Sequence, residues 1–496
     1  MTRERNIYNT VIVTCMSRET DIILSLNKTL NNPITRNILR YLSRKNRLED
    51  SLELLVGIKE KSGIGCRMNS FLVGTAIKYG AKAFGRNDTD FLKYFRDITT
   101  RKGLVNVLKG IAKYGITRPQ KLYAPFLVVW DFTSMCNLRC KHCYSSAGKL
   151  APDELSKEER YNVIDQLSDA GVVAVAFSGG EPLISKDFFD IAKYAHEKEM
   201  YVSVASNGTL ITKEVAKKLR EIGVEYIEIS LDSTDFKIHD QFRGAEGAWK
   251  KTIQGIKNCV EAGITTCIAT TATRYNYEDI PNMIDLAIKL KVDRFIHFNF
   301  IPTGIGKEII DQDILPEQRE KLLNYLYDKL EEDNGLQVFS TAPQFARVSL
   351  ERVESGKGKD VTPTHFAGVS LKGKAIALAD FIGGCGAGRI YCSIEYNGDI
   401  QPCVFMPIKV GNIREGFLNL WQNSEILNKL RNREDLKGEC HDCPYRYVCG
   451  GCRARAYAYF NDIKAPDPGC VHNINYWNEI GREEVIEKRE EILVTA

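Results

Sequence analysis

Between Phe126 and Phe300, six short apolar runs alternate with charged amphipathic segments, and this alternation constrains the fold more than any other feature of the 496-residue chain. The strand candidates are Phe126–Phe132, Val172–Phe177, Tyr201–Ser206, Tyr226–Leu231, Thr265–Thr271 and Arg294–Phe300. Helices are predicted over Lys157–Ala170, Lys186–Lys198, Lys213–Ile222, Ala248–Ala262 and Ile280–Leu290. Strands alternating with helices build parallel sheets through right-handed crossovers, the hand that lets a twisted strand and its helix pack back on the sheet. The expected fold class is α/β, open or partly closed as a partial (β/α)6 TIM-like barrel. Its chemistry belongs at the C-terminal strand ends.

The flanking regions follow other patterns. Residues 1–120 read as mostly helical, with apolar positions at helical spacing in Leu52–Ile58, Phe71–Phe84 and Leu104–Ile111. A net charge of +4 hides a polarised chain: residues 1–120 hold 22 Lys/Arg against 10 Asp/Glu, and the rest hold 46 against 54. After Gly335 the alternation stops. Residues 385–475 are rich in Cys, Gly and Pro, so their fold is expected to depend on metal. The expected organisation is a basic, mainly helical module (1–122), an α/β core (123–335), a bridging segment (336–384), a Cys-rich domain (385–475) and a C-terminal helix (476–496). With 44% apolar and 27% charged residues, collagen-like, low-complexity and mostly disordered classes are excluded. No uncharged apolar run approaches the roughly 18 residues of a membrane span. The start, MTRERNIYN, lacks the apolar core of a secretion signal, so a cytoplasmic location is expected.

Fifteen cysteines are many for that compartment, where clustered cysteines bind metal or do redox chemistry more often than they pair. Cys136-Asn-Leu-Arg-Cys140-Lys-His-Cys143 directly follows the first strand. Three thiolates at these spacings can wrap one iron–sulfur cubane and leave one iron without a protein ligand; a structural zinc loop is the competing reading. Ser178-Gly179-Gly180-Glu181-Pro182 follows the second strand. Its glycines allow close backbone approach, and Glu181 can accept hydrogen bonds from an ammonium group. Alone such a turn is weak evidence; one strand after a three-Cys loop it is strong. Near the end, Cys385, Cys392 and Cys403 precede Cys440-x2-Cys443-x5-Cys449-x2-Cys452 and then Cys470, with Gly398 five positions before Cys403. Eight cysteines suffice for two fully ligated cubanes, or for two zinc sites.

These motifs resemble the radical SAM superfamily: Cys136, Cys140 and Cys143 match its CxxxCxxC signature, and Ser178–Pro182 match its GGEP motif. The resemblance implies that the three cysteines hold a [4Fe–4S] cluster whose open iron is chelated by S-adenosylmethionine (SAM). It implies that Gly179, Gly180 and Glu181 contact the methionine amino group and that His142 packs on the adenine. Ser206, Asn207, Ser230 and Asp232 would contact ribose and methionine, and Arg243 would pair the SAM carboxylate. The C-terminal cysteines resemble the SPASM extension of many radical SAM enzymes. Transferring its interleaved pattern gives one auxiliary cluster on Cys385, Cys392, Cys403 and Cys452 and another on Cys440, Cys443, Cys449 and Cys470. The two-residue gap in Cys449-Gly-Gly-Cys452 departs from the usual three and is similar to radical SAM enzymes of haem and quinone-cofactor biosynthesis. Val404, where sulfatase-maturing members carry Asp, argues against that activity. Of the remaining cysteines, Cys259 and Cys267 are expected to be packed hydrophobes, while Cys15 and Cys66 have no convincing partner.

The resemblance implies an oxidoreductase that cleaves SAM to a 5′-deoxyadenosyl radical, with three [4Fe–4S] clusters, and abstracts hydrogen from an unactivated C–H bond. A ferredoxin or flavodoxin is the expected reductant. A peptide or protein substrate, hence a maturase, leads. Haem, tetrapyrrole or other cofactor biosynthesis comes next, with Arg453 and Arg455 available to pair carboxylates. Residues 1–120 combine Lys with aliphatic and aromatic residues, so peripheral contact with the inner membrane face and a lipid substrate form a third reading, set against solvated faces packing on the core. No recognition motif supports nucleic acid. A non-enzymatic iron–sulfur electron carrier does not account for the Gly-Gly-Glu-Pro turn.

Overall fold

The computed structural model describes residues 27–60, 63–83, 92–364 and 370–480; Cys15 and most of the expected C-terminal helix lie outside them. The chain divides into two compact units, Met1–Ala124 with Leu371–Ile382 and Pro125–Ser370 with Gly383–Ala496. The bridging segment is thus divided between them.

The first unit is helical, with α1 (Pro33–Leu42), α2 (Arg47–Leu55), α3 (Ile64–Ala83) and α4 (Ile98–Tyr114). The side chain of Asn32 accepts from the Ile34 amide at the start of α1, and that of Asp97 accepts from the Thr100 amide at the start of α4. Leu42, Leu48, Leu52, Val73 and Val105 form one buried cluster, so α1 to α4 share a core. Gly74 sits where α3 meets α2: a Cβ there would stand 2.8 Å from Leu55 Cδ1, too close for a carbon contact.

The second unit holds a ten-stranded sheet. The six expected strands are present as β1 (Leu127–Asp131), β2 (Ala174–Ser178), β3 (Tyr201–Ser206), β4 (Val224–Ser230), β5 (Thr265–Ala272) and β6 (Arg294–Asn299). Helices α5 (Lys157–Ala170), α6 (Phe188–Glu197), α7 (Lys213–Glu221), α8 (Phe236–Arg243), α9 (Ala248–Glu261) and α10 (Ile280–Lys289) connect them. All neighbouring pairs from β1 to β6 are parallel. The sheet extends past the point where sequence alternation ends: β7 (Gln337–Ser340) joins β6 in parallel after α11 (Pro316–Glu331), and α12 (Gln344–Glu354) follows. On the other side β8 (Tyr391–Ile394) pairs in parallel with β1 and carries the antiparallel β9 (Asp399–Gln401) and β10 (Gly411–Asn412). The strand order is β10-β9-β8-β1-β2-β3-β4-β5-β6-β7, with β7 and β10 at the edges, a partial barrel that does not close.

Aromatic packing distinguishes the two faces. Trp130 and Phe132 meet Phe177 and Phe188, the last on α6, with ring centroids 5.0–6.1 Å apart. Trp130 and Phe177 therefore point to the helices, and the alternating positions Val129, Asp131, Ala176 and Ser178 face the concave interior. Cys267, Ala269, Ile296 and Phe339 pack together farther along, with Tyr226 and Phe298 against them. Cys259 and Cys267 are fully buried, as expected.

Arg160 of α5 clamps the segment that leaves β1. It is paired with Asp187 and Glu154, both at 2.9 Å, donates to the Phe132 carbonyl and lies over the Phe132 ring. The other Glu154 oxygen accepts from the Ser134 amide, the Ser134 hydroxyl and the Thr133 hydroxyl. Removing a buried charged partner strands the charges left behind, at a cost of about 3–5 kcal/mol. Arg160→Met is expected to lower unfolding free energy by about that amount, read from anaerobic denaturant titration; a loss below about 1 kcal/mol would count against the clamp.

Candidate functional site

The C-terminal end of β1 runs into the three-Cys loop, and the rest of the unit holds that loop from several sides. The Cys136 amide donates to Gly148, the Arg139 amide to Arg243 and the Lys141 amide to Phe242. Helix α8, which the sequence reading did not single out, thus supports the loop through its last turn. The Gly-Gly turn after β2 packs directly beneath: the Gly180 amide donates to the Thr133 carbonyl, and the Glu181 amide to the Met135 carbonyl at 2.7 Å. A side chain at Gly180 would overlap that Met135 carbonyl, and Gly179 has φ +113°, so this close approach requires both glycines.

Cys136, Cys140 and Cys143 are partly exposed and unpaired by disulfides. Cys136 Sγ accepts from the Leu138 amide at 3.4 Å, and Cys140 Sγ from Arg243 Nη1 at 3.8 Å. Burial pushes the Cys140 thiol up to about 11 although the Arg243 guanidinium pulls it down, so an ionised sulfur there needs the charge of a bound metal. Hydrogen-bond donors aimed at sulfur, on a loop with three thiols, fit an iron–sulfur cluster.

The expected SAM-binding residues gather beside the loop, and Glu181, Ser206, Asn207, Asp232, Arg243 and His142 are already held by protein. Glu181 accepts from the Ser206 hydroxyl at 2.9 Å and the Asn207 amide at 2.8 Å, and burial pushes its carboxyl up to about 7. The Asn207 side chain donates to Asn137 inside the loop. Asp232 accepts from Arg243 Nε at 2.6 Å and from the Thr271 amide, and Arg243 holds its carboxyl below the usual range despite burial. His142 stacks on Phe242 with centroids 4.2 Å apart, and burial lowers it to about 3, so the ring is neutral. Ser230 ends β4 on the concave face. The site is a ring of strand ends with Asp232–Arg243 as its buried ion pair.

The C-terminal cysteines are held by a second network. The Cys385 amide donates to the Cys449 carbonyl, joining two segments distant in sequence. Backbone or side-chain donors reach Cys403, Cys440, Cys449 and Cys452, the Phe405, Gly451 and Arg455 amides among them at 3.4–3.5 Å. Tyr391 donates its phenol to Cys403 Sγ at 2.8 Å, and the sulfurs of Cys385, Cys403 and Cys452 all act on that phenol. Cys392 departs from the expected quartet. It is the next residue along β8, opposite Val128 on the helix side of the sheet, so its side chain points away from the face that Tyr391 occupies. Asp467, fully buried, accepts from the Cys452 amide, the Gly469 amide and Gln344. Arg455 lies between Asp467 and Asp313, both at 3.6 Å, while Arg319 pairs Asp313 and donates to Gly469. Arg453 and Arg455 are thus committed to partners within the protein, Arg453 to the Ala465 and Ile463 carbonyls and Arg455 also to residues that follow β6.

Sequence reasoning missed an acidic group on the concave face. Tyr144, directly after Cys143, donates to Asp131 Oδ1 at 3.0 Å and is 3.0 Å from the Ser178 hydroxyl. Asp131 is fully buried, its second oxygen has no hydrogen-bond partner among the described residues, and burial beside the Glu395 carboxyl pushes it well above the usual carboxylate range. Glu228, inward on β4, is raised to about 7 by burial. Phe405 closes over this region, packing on Tyr144 and Phe298. The signal lay in Trp130-Asp131, an acid that strand alternation puts on the concave side.

Comparison with known proteins agrees with this geometry. Residues 130–287 match the radical SAM superfamily, and residues 385–444 match the SPASM iron–sulfur cluster-binding domain. The chain is 34% identical over 352 residues to an AdoMet-dependent heme synthase of Methanosarcina barkeri, across 70% of this chain and 97% of that protein. It is 33% identical over 363 residues to the mycofactocin maturase MftC of Mycolicibacterium smegmatis, across 71% and 83%. Among solved structures, Streptococcus suis SuiB bound to S-adenosylmethionine shares the fold at 20% identity, with TM-score 0.58 over 82% of this chain and 90% of that one. The concave site at the strand ends and the Cys-rich extension therefore belong to a radical SAM enzyme with a SPASM domain, and the chain is a member of that superfamily.

Proposed function

We propose that this enzyme abstracts hydrogen from an unactivated C–H bond of a peptide or protein substrate seated on the concave face of the sheet. The observation that carries the substrate class is the set of buried carboxyl groups on that wall. Its inward-facing ionisable groups in the upper strands are the carboxyls Asp131, Glu228 and Glu395, while Arg294, inward at the start of β6, is held by Gln337. Burial raises all three carboxyls above the usual carboxylate range, Glu228 and Glu395 to about 7, so they act as hydrogen-bonding groups that suit amides and neutral side chains. None of them supplies the positive charge that a substrate with several carboxylates needs. The mycofactocin maturase relatives support this reading. Oxidation of a tetrapyrrole is the second reading, supported by the 34% identity to a heme synthase.

Three [4Fe–4S] clusters are proposed: one on Cys136, Cys140 and Cys143, one drawing on Cys385, Cys403 and Cys452, and one on Cys440, Cys443, Cys449 and Cys470. Bound on these residues, the first cluster and S-adenosylmethionine would supply 5′-deoxyadenosyl radical chemistry, with the electron for reductive cleavage drawn from a ferredoxin or flavodoxin, and the auxiliary clusters would supply further electron-transfer sites. The protein's own contribution is positional. Glu181 receives the methionine amino group, Arg243 faces its carboxylate from the Asp232 pair, and neutral His142 with Phe242 offers an apolar platform for adenine. Phe405 and Tyr144 keep water from the acidic wall, where Asp131 offers its free oxygen to a substrate hydrogen-bond donor.

With reductant and S-adenosylmethionine, the enzyme is expected to release 5′-deoxyadenosine, and Cys140→Ala to release none. A peptide fraction from the source cells should stimulate that release where iron-coproporphyrin III does not; stimulation by the porphyrin alone would reverse the order of the two readings. Asp131→Asn should keep the iron content and lower peptide-stimulated turnover about tenfold, the worth of one buried hydrogen bond. Iron analysis should find about twelve atoms per chain, falling by about four in Cys403→Ala and unchanged in Cys392→Ala. Loss of iron in Cys392→Ala would restore that cysteine to the first auxiliary cluster.

A further inference from the structure

The water-facing side of helix α3 carries large apolar residues through its first half. One face carries buried Asn69, Ser70, Val73 and Ala81 and packs on α2. The opposite face carries Ile64, Met68, Phe71 and Leu72, which are 88%, 61%, 72% and 43% exposed. Positions i, i+4, i+7 and i+8 form one stripe along a helix, so these side chains are contiguous. A surface helix ordinarily puts charge there, because each Å² of bare apolar surface forgoes about 25 cal/mol of burial. Exposed Arg67, Lys78 and Lys82 flank the stripe. Helix α1 repeats the arrangement: Ile34, Ile38 and Tyr41, at i, i+4 and i+7, are 71%, 42% and 48% exposed while Leu39 and Leu42 turn to the core. Nine of the fifteen exposed large apolar side chains of the described residues lie in this unit, the smaller of the two. No helix among the described residues is long and apolar enough to cross a membrane, so these helices are suited to lie along a surface.

We propose that the N-terminal helical unit docks on an anionic lipid bilayer. The apolar stripe of α3 enters the boundary between headgroups and acyl chains, and the flanking Lys and Arg meet lipid phosphates. Charge decides between candidate occupants. The excess of 22 basic over 10 acidic residues in positions 1–120 complements an anionic surface, whereas a second copy would bring the same excess of positive charge. The proposal is independent of the substrate reading, since it concerns where the enzyme works.

The test uses the full-length, cluster-loaded protein and sedimentation with vesicles. With phosphatidylglycerol–phosphatidylcholine vesicles at about 50 mM salt most of the protein should pellet; with phosphatidylcholine alone, or at about 500 mM salt, at least tenfold less should. Met68→Glu with Phe71→Glu should cut binding at least tenfold, with iron content and uncoupled 5′-deoxyadenosine release unchanged. Lys78→Glu with Lys82→Glu, which leaves the apolar stripe intact, should weaken binding to anionic vesicles and guards against a folding defect in the first pair. No sedimentation with anionic vesicles would overturn the proposal. So would binding insensitive to both double substitutions, or a dimer that Met68→Glu with Phe71→Glu dissolves while vesicles stay unbound.

Discussion

The pairing of β1 with β2 on one side and β8 on the other is the constraint on which the catalytic unit depends. Strand order reverses there: the chain proceeds outward from β1 through β7, then returns to place β8 on β1's free edge. Crevices outside the carboxyl ends of parallel strands at such a reversal are where α/β proteins bind ligands. Here the three-Cys loop leaves β1, the Gly-Gly-Glu turn leaves β2, and the segment leaving β8 carries Glu395 to Asp131. Five residues of strand therefore bring a three-Cys loop, a Gly-Gly-Glu turn and a set of buried carboxyls to one place.

Buried charge holds this arrangement at two points. Arg160 satisfies Glu154 and Asp187 and, through Glu154, fixes the residues just before Cys136. Arg319 and Arg455 with Asp313 and Asp467 do the same where the Cys-rich domain meets the outer side of β6. Such networks contribute less to net stability than to specificity, because ion desolvation offsets most of their attraction. Their effect is to tie the backbone at Cys452 and Cys470, through Asp467 and Arg455, to the elements that follow β6.

The two units meet different physical demands. The catalytic unit buries its aromatic residues between sheet and helices and turns carboxyls inward. The N-terminal unit buries one apolar face of α3 and leaves the other bare, flanked by basic side chains. A helix with apolar side chains on both faces reads in sequence as simply hydrophobic, which is why Phe71–Phe84 was legible as a helix but its outward stripe was not.

Local signals were sufficient for much of the molecule. Strand and helix periodicity located β1 to β6 and their crossovers within a few residues, and cysteine spacing located the three-Cys loop and the SPASM domain, because each depends on neighbours in the chain. Contacts made across the chain were beyond reach: α8 holding the loop backbone, β8 pairing with β1, Arg455 turned inward to Asp313 and Asp467, and Cys392 on the opposite face of its strand from the Tyr391 phenol. Thiols and glycines at fixed spacing specify the reaction class locally. Tertiary structure alone decided which side chains share a face, because strand register and side-chain direction are set by long-range pairing and not by local order.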